Sequence, residues 1–156
     1  MAWTREQLRH DGFGGFVSWA AMERSHIPAE AGVYVVLRDP GTTADFLEAS
    51  AGGWFKGRNP SARPDVLAAA WVEAADILYI GKATSLRNRL WAYRQFGDGR
   101  PVGHWGGRYI WQLTDSQALV VAWRPTPDES PRDVERRMIA DFVQSYGRRP
   151  FANLRG

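Results

Sequence analysis

An α/β domain is the fold class this sequence predicts, and three observations predict it. Short runs rich in β-branched and aromatic residues, bounded by Gly, Pro and Asp, mark strands at 33–37 and 77–80. Two segments with apolar residues at helical spacing, each with a capping signal, cover about 84–96 and 131–146. The chain's 156 residues, 44% hydrophobic and 24% charged, are one globular domain's worth of sequence, enough to bury a core without staples.

Along the chain, residues 1–30 read as an extended or loosely packed lead-in, with a flexible Gly12, Gly14 and Gly15 and with Phe13, Phe16 and Trp19 available to pack on the body. Those glycines do not form a dinucleotide-binding fingerprint, because Val stands at position 17. The run Val33–Leu37, closed by Asp39-Pro40-Gly41, is the first strand. Residues 38–75 look like an insertion, punctuated by Gly52-Gly53 and by Pro60 and Pro64, with a short helical turn at 66–70. Its Trp54, Phe55 and Trp71 predict an ordered, packed segment. Ile77–Ile80 is the second strand, stopped by Gly81. Thr84 or Ser85 caps the first long helix, and Gly97, Gly99 and Pro101 end it. Tyr109–Leu113 and Ala118–Trp123 are two further strand candidates around the turn residues Thr114-Asp115-Ser116. In the last helix Ser130 is the N-cap, Pro131 is N1, Asp133 is N3, and Gly147 is the stop.

Composition excludes several function classes. With no cysteine, there is no disulfide scaffold, thiolate zinc site or cysteine nucleophile, and a cytoplasmic location is expected. No apolar run approaches the ~18 residues of a membrane span, and the N-terminus lacks the apolar core of a secretory signal. Lys56 and Lys82 are the lysines among 20 basic residues, the rest being Arg, as a GC-rich genome would give. Arg is also the better bidentate partner for phosphate. Residues 77–156 carry 13 basic and 7 acidic residues, whereas the first 76 carry 7 and 10. A basic C-terminal half is either a solvated face or one that meets a polyanion.

The last helix carries an anomaly. Val134, Met138, Ile139, Phe142 and Val143 form an apolar stripe, and Glu135 falls in its middle. A carboxylate there is a structural salt bridge to an arginine, or else a metal ligand or general base. In the preceding helix Leu86, Leu90 and Tyr93 form the packed face, Arg89 borders it, and Arg87 and Arg94 point to solvent or backbone. Lys82 follows Gly81 near a helix start, where an anion is favoured. His104 is either an extra acid or DNA contact, or a loop histidine stacked among tryptophans. Trp91 and Trp105, close to Arg94 and Arg108, offer rings on which splayed bases can stack, although most of the tryptophans belong to the core.

Taken in order, Gly32-Val33-Tyr34, Tyr79-Ile80-Gly81-Lys82, Arg89, Glu135 and Asn153 resemble the GIY-YIG nuclease family. The segment LYIGKATSLRNRLWAY is similar to the N-terminal nuclease domain of the bacterial excision-repair nuclease. The resemblance covers about 31–37 and 77–156 and leaves the lead-in and the insertion aside. It implies a single domain, 1–156, with a small, mainly antiparallel sheet flanked by helices. It also implies a divalent-metal-dependent endonuclease acting on DNA phosphodiester bonds. By the same resemblance Tyr34 activates the attacking water with help from Lys82 or the metal, and Tyr79 hydrogen-bonds in the same site. Arg89 stabilises charge on the phosphate, Glu135 binds one Mg²⁺ or Mn²⁺, and Asn153 orients the site or the DNA. Arg108 would support DNA binding.

Two departures from the family pattern stand out. Tyr34 and Tyr79 lie 45 positions apart, so their strands can pair only if 38–75 loops out. Tyr93 stands where many members carry a histidine. Alternative readings are a catalytically silent DNA-binding module, or a nuclease component that needs a protein partner for DNA binding.

Overall fold

The computed structural model describes residues 3–41 and 43–154. Its elements in order are α1 (Arg5–His10), β1 (Gly14–Ser18), β2 (Gly32–Leu37), α2 (Pro64–Ala70), β3 (Ile77–Ala83), α3 (Leu86–Gly97), β4 (Val120–Pro125) and α4 (Pro131–Tyr146). The strands form one four-stranded sheet in the order β1-β4-β2-β3, antiparallel throughout. This is a small α+β fold.

Strand β2 is central and buried along its whole length, which is why Val33–Leu37 reads as a continuous apolar run rather than an alternating one. Tyr34 and Val36 join one core cluster with Leu86, Leu90 and Tyr93 of α3 and with Trp19 and Trp111. Val33, Val35 and Leu37 join the other, with Val134, Met138 and Phe142 of α4 and Leu8 of α1. Helices thus cover both faces of the sheet.

The expected pairing of the two tyrosine strands holds. β2 and β3 run antiparallel with Tyr34 opposite Gly81 and Val36 opposite Tyr79, and residues 38–75 loop out between them. Buried Gln112 staples that excursion to the body: its amide nitrogen donates to the carbonyls of Leu47 and Ala62, and its oxygen accepts from the Ala62 N–H. The helical turn expected at 66–70 is α2, with Pro64 at its first position. Trp71 packs edge-on against Phe46 and Phe151, as an ordered segment requires. Trp54 does not pack; it is 59% exposed.

Two sequence expectations are overturned. Tyr109–Leu113 is not a strand, because Trp105–Gln112 forms 3-10 turns. Its aromatic and aliphatic side chains are buried in the cluster beneath α3, and a short apolar run does not distinguish a buried strand from a buried helical turn. A further 3-10 turn at Ser116–Ala118 delays the next strand to Val120–Pro125. The lead-in is not loose either. Thr4 caps α1 by accepting from the Gln7 N–H at 3.1 Å, and β1 pairs with β4. Gly15, which reads as a flexible residue, sits at φ 90° beside a bulge, and a Cβ there would stand 2.9 Å from the Trp123 ring. Close packing, rather than flexibility, is the reason for that glycine.

Candidate active site

Strand β3 is an edge of the sheet, and α4 packs beside it. Between them lies a cleft of about 440 Å³ that brings together Tyr34, Tyr79, Lys82, Arg89 and Glu135. An adjoining cleft of about 650 Å³ shares Tyr79, Lys82 and Glu135 and continues along α4 past Arg136 and Arg149. Five residues spread over β2, β3, α3 and α4 therefore converge on one concave surface.

Tyr34 is fully buried, and its ring lies across Gly81 on the neighbouring strand. A Cβ at Gly81 would stand 2.3 Å from Tyr34 Cζ, so the close approach of the two strands at this point requires glycine. The Tyr34 hydroxyl is 2.7 Å from His104 Nε2. His104 is itself buried and lies flat on the Tyr93 ring, with centroids 3.4 Å apart and planes 8° from parallel. Tyr93 is anchored in turn by donating its hydroxyl proton to the Gly107 carbonyl at 2.6 Å. Arg89 donates to the Gly103 carbonyl at 2.6 Å, which holds its guanidinium against Tyr34.

The electrostatics follow from burial. Desolvation pushes the Tyr34 phenol well above its ordinary value, and the neighbouring Tyr79 adds to the rise while Arg89 opposes it. Tyr79, less enclosed, is pushed up to about 12, again by desolvation first. Burial also drives His104 well below the ordinary histidine value, and Arg89 adds to that fall. His104 is therefore a neutral imidazole at neutral pH, and in the tautomer with its proton on Nδ1 the Nε2 accepts a hydrogen bond from the Tyr34 hydroxyl.

Glu135 keeps only 16% of its side chain exposed and lies 3.5 Å from the Lys82 ammonium. The carboxylate in the apolar stripe is thus paired, and its partner is the lysine of β3 rather than an arginine. Lys82 belongs to the strand, not to a helix start. Among the described residues no group of three or more His, Asp or Glu side chains converges on a metal position. Glu135 is the one carboxylate lining the two clefts. That donor set fits a divalent ion taking one protein oxygen and filling its other positions with water and phosphate oxygens.

Other sequence-singled residues stand at the margin. Asn153 bonds the free edge of β3, accepting from the Ile80 N–H and donating to the Ile80 carbonyl, both at 2.9 Å. It orients the strand that carries Tyr79. Arg108 does not line either cleft; its guanidinium lies 4.5 Å from the Trp105 ring. His104 is not stacked among tryptophans, and its burial keeps it from an open surface. As expected, Arg87 and Arg94 are tied to backbone carbonyls, of Ile27 and Met22.

The contact between His104 and Tyr34 escaped sequence reasoning, because 70 positions separate the partners and no local pattern links them. A further signal was available in part: α4 turns Arg132 and Arg136 onto the cleft side, at the i−3 and i+1 positions of Glu135. Comparison with protein-family models, with curated proteins and with solved structures finds no match to this chain.

Proposed function

We propose that this chain is a divalent-metal-dependent endonuclease that hydrolyses DNA phosphodiester bonds with a GIY-YIG-type active site. The observation that carries the reading is the convergence of Tyr34, Tyr79, Lys82, Arg89 and Glu135 on one cleft, with the Tyr34 hydroxyl hydrogen-bonded to a buried neutral histidine.

A phenol this far above its ordinary pKa stays protonated at neutral pH, so a free phenolate is not available as the base. The hydrogen bond to His104 supplies a route that avoids one. As water attacks phosphorus, its proton passes to the Tyr34 oxygen while the Tyr34 proton passes to His104 Nε2. The tyrosine remains neutral, and the positive charge forms on the imidazole, which burial and Arg89 by themselves disfavour and which negative phosphate oxygens gathering at Arg89 must offset. A new P–O bond forms, the bond to the leaving oxygen breaks, and Arg89 stands ready to bond the phosphate oxygens as charge gathers on them. When bound at Glu135, a Mg²⁺ or Mn²⁺ ion supplies Lewis-acid stabilisation of the leaving oxygen. Tyr79, Gly103 and Asn153 keep the geometry fixed.

The test is nicking of supercoiled plasmid with Mg²⁺, Mn²⁺ or EDTA, comparing the natural chain with Glu135→Ala. Metal-dependent nicking that the substitution abolishes is the expected result. The substitution removes a partly exposed ion pair worth no more than about 1 kcal/mol, so the melting temperature should hardly move. Absence of nicking under either metal by folded protein would overturn the reading, and so would full activity of the variant.

A further inference from the structure

The strongest unexplained feature outside the cleft is built by the insertion. Phe55 and Arg58 exchange backbone hydrogen bonds of 3.3 and 3.0 Å around Lys56 and Gly57, whose φ values of 51° and 73° are those of a tight two-residue hairpin turn. The turn holds Trp54 at 59% exposure, the most exposed large apolar side chain among the described residues. It also sets the Arg58 guanidinium 4.7 Å from the Trp105 ring. Arg108 lies 4.5 Å from the same ring and donates to the Trp105 carbonyl. Two guanidiniums thus share one indole, and among the described residues neither forms an ion pair. Like charges gathered without a counter-ion are unfavourable until an anion joins them.

The position of this cluster connects it with the cleft. Trp105 follows His104, which bonds Tyr34, and precedes Gly106, which lines the same groove as Tyr79 and Glu135. A Cβ at Gly103 would stand 3.6 Å from the Phe55 ring, and the Gly103 carbonyl accepts from Arg89 of the cleft, so the turn and the cleft meet at Gly103. An arginine pair suits backbone phosphate. An exposed indole suits a nucleobase, but it can stack only on a base whose face is free, because in a continuous duplex the neighbouring base pairs cover both faces.

We propose that the Trp54–Arg58 turn and Arg108 form a clamp for an unpaired nucleic-acid strand leading into the cleft, so that the favoured substrate is forked or flapped DNA rather than continuous duplex. Arg58 and Arg108 take a backbone phosphate, Trp105 fixes their planes, and Trp54 stacks on an unstacked base. The inference rests on the nuclease reading for its account of the cleft, but its test does not require cleavage.

The experiment is fluorescence anisotropy in EDTA with a blunt duplex and a forked duplex of equal duplex length, for the natural chain and for Trp54→Ala and Arg58→Glu. Both side chains lie at the surface, and unchanged melting temperatures check the fold. The fork should bind about tenfold more tightly than the blunt duplex, in line with one stacked base and one phosphate contact. Trp54→Ala should bring the fork close to duplex affinity, and Arg58→Glu should remove the preference. Equal affinity for the two DNAs, or a preference undiminished in Trp54→Ala, overturns the clamp. The two readings fail separately. Fork preference without metal-dependent cleavage supports the clamp and overturns the nuclease. Plasmid nicking without fork preference overturns the clamp and leaves the nuclease standing.

Discussion

Tyr34 and His104 behave chemically as a pair, and the cost of losing either should show it. Tyr34→Phe removes a single hydroxyl from a packed ring, and His104→Gln removes the proton acceptor. If proton transfer through the 2.7 Å contact limits the reaction, each should slow cleavage by about 10²-fold or more, and the double variant should be no slower than the worse single one. Additive losses in single-turnover cleavage would mean that the two act independently. His104 also leaves a mark on stability. Its pKa is driven down in the fold by burial and by Arg89, while Tyr34, Tyr79 and Tyr93, the other groups around it, stay uncharged. An unfolded chain protonates the same histidine near about 6.5, so the unfolded state binds more protons below that pH. Stability is therefore unaffected by this group above about pH 6.5 and falls below it, by at most about 1.4 kcal/mol per pH unit. His104→Gln should flatten the denaturation profile between about pH 6.5 and 5, where carboxylates still remain ionised. A slope unchanged in that window would mean that the imidazole is protonated in the fold.

Among the elements, the β2–β3 pair is the one on which the site depends most, because its register sets Tyr34 against Gly81. Gly81→Ala puts a methyl 2.3 Å from Tyr34 Cζ and can be accommodated only by moving the ring or parting the strands. Overpacking of this kind costs about 1–3 kcal/mol. Cleavage should fall by more than that loss of folded protein explains, since the hydroxyl leaves His104; activity measured well below the melting temperature separates the two effects. What was legible at this scale was whatever chemistry marks locally. The Ser85 cap, Pro131 at the start of α4, the stop at Gly147 and the β-rich run before Asp39 all specify structure through their immediate neighbours, whereas Ser130 takes the N-cap position without a side-chain capping bond. The five cleft residues were legible too, through their order and spacing. What stayed hidden depends on contacts distant in sequence. β1 exists because β4 offers it a partner across some hundred residues, and the aromatic stretch at 105–112 coils because α3 covers it. Asn153 reads as a residue that orients the site or the DNA, but the means, an amide that completes the free edge of β3 beside Tyr79 while lining the second cleft, depends on a contact 73 positions away.

Across the whole molecule the basic excess of residues 77–156 is not spread evenly. The two clefts that meet at Tyr79, Lys82 and Glu135 are lined by Arg89 and Arg132 at one end and by Arg136 and Arg149 at the other. Among the described residues none of these four arginines forms an ion pair. Arg137, one position along α4, is neutralised by Glu129 at 2.6 Å. The contrast sorts arginines by counter-ion, and it makes the partner's charge testable without any knowledge of its sequence. A polyanion held along this groove releases condensed cations when it binds, so affinity for duplex DNA in EDTA should fall steeply with salt, by about 0.9 in log–log slope for each phosphate neutralised. Arg149→Gln should weaken binding alike for unrelated sequences and make the slope shallower by about one. Arg137→Gln, whose charge is already compensated, should change neither. A slope near zero for the natural chain would remove DNA as a ligand of the groove. Equal effects of the two substitutions would mean that net charge, rather than the line of arginines beside Glu135, attracts the polyanion. The salt slope therefore measures something that the cleavage assays cannot: whether the chain's excess charge is organised around the cleft or merely carried on its surface.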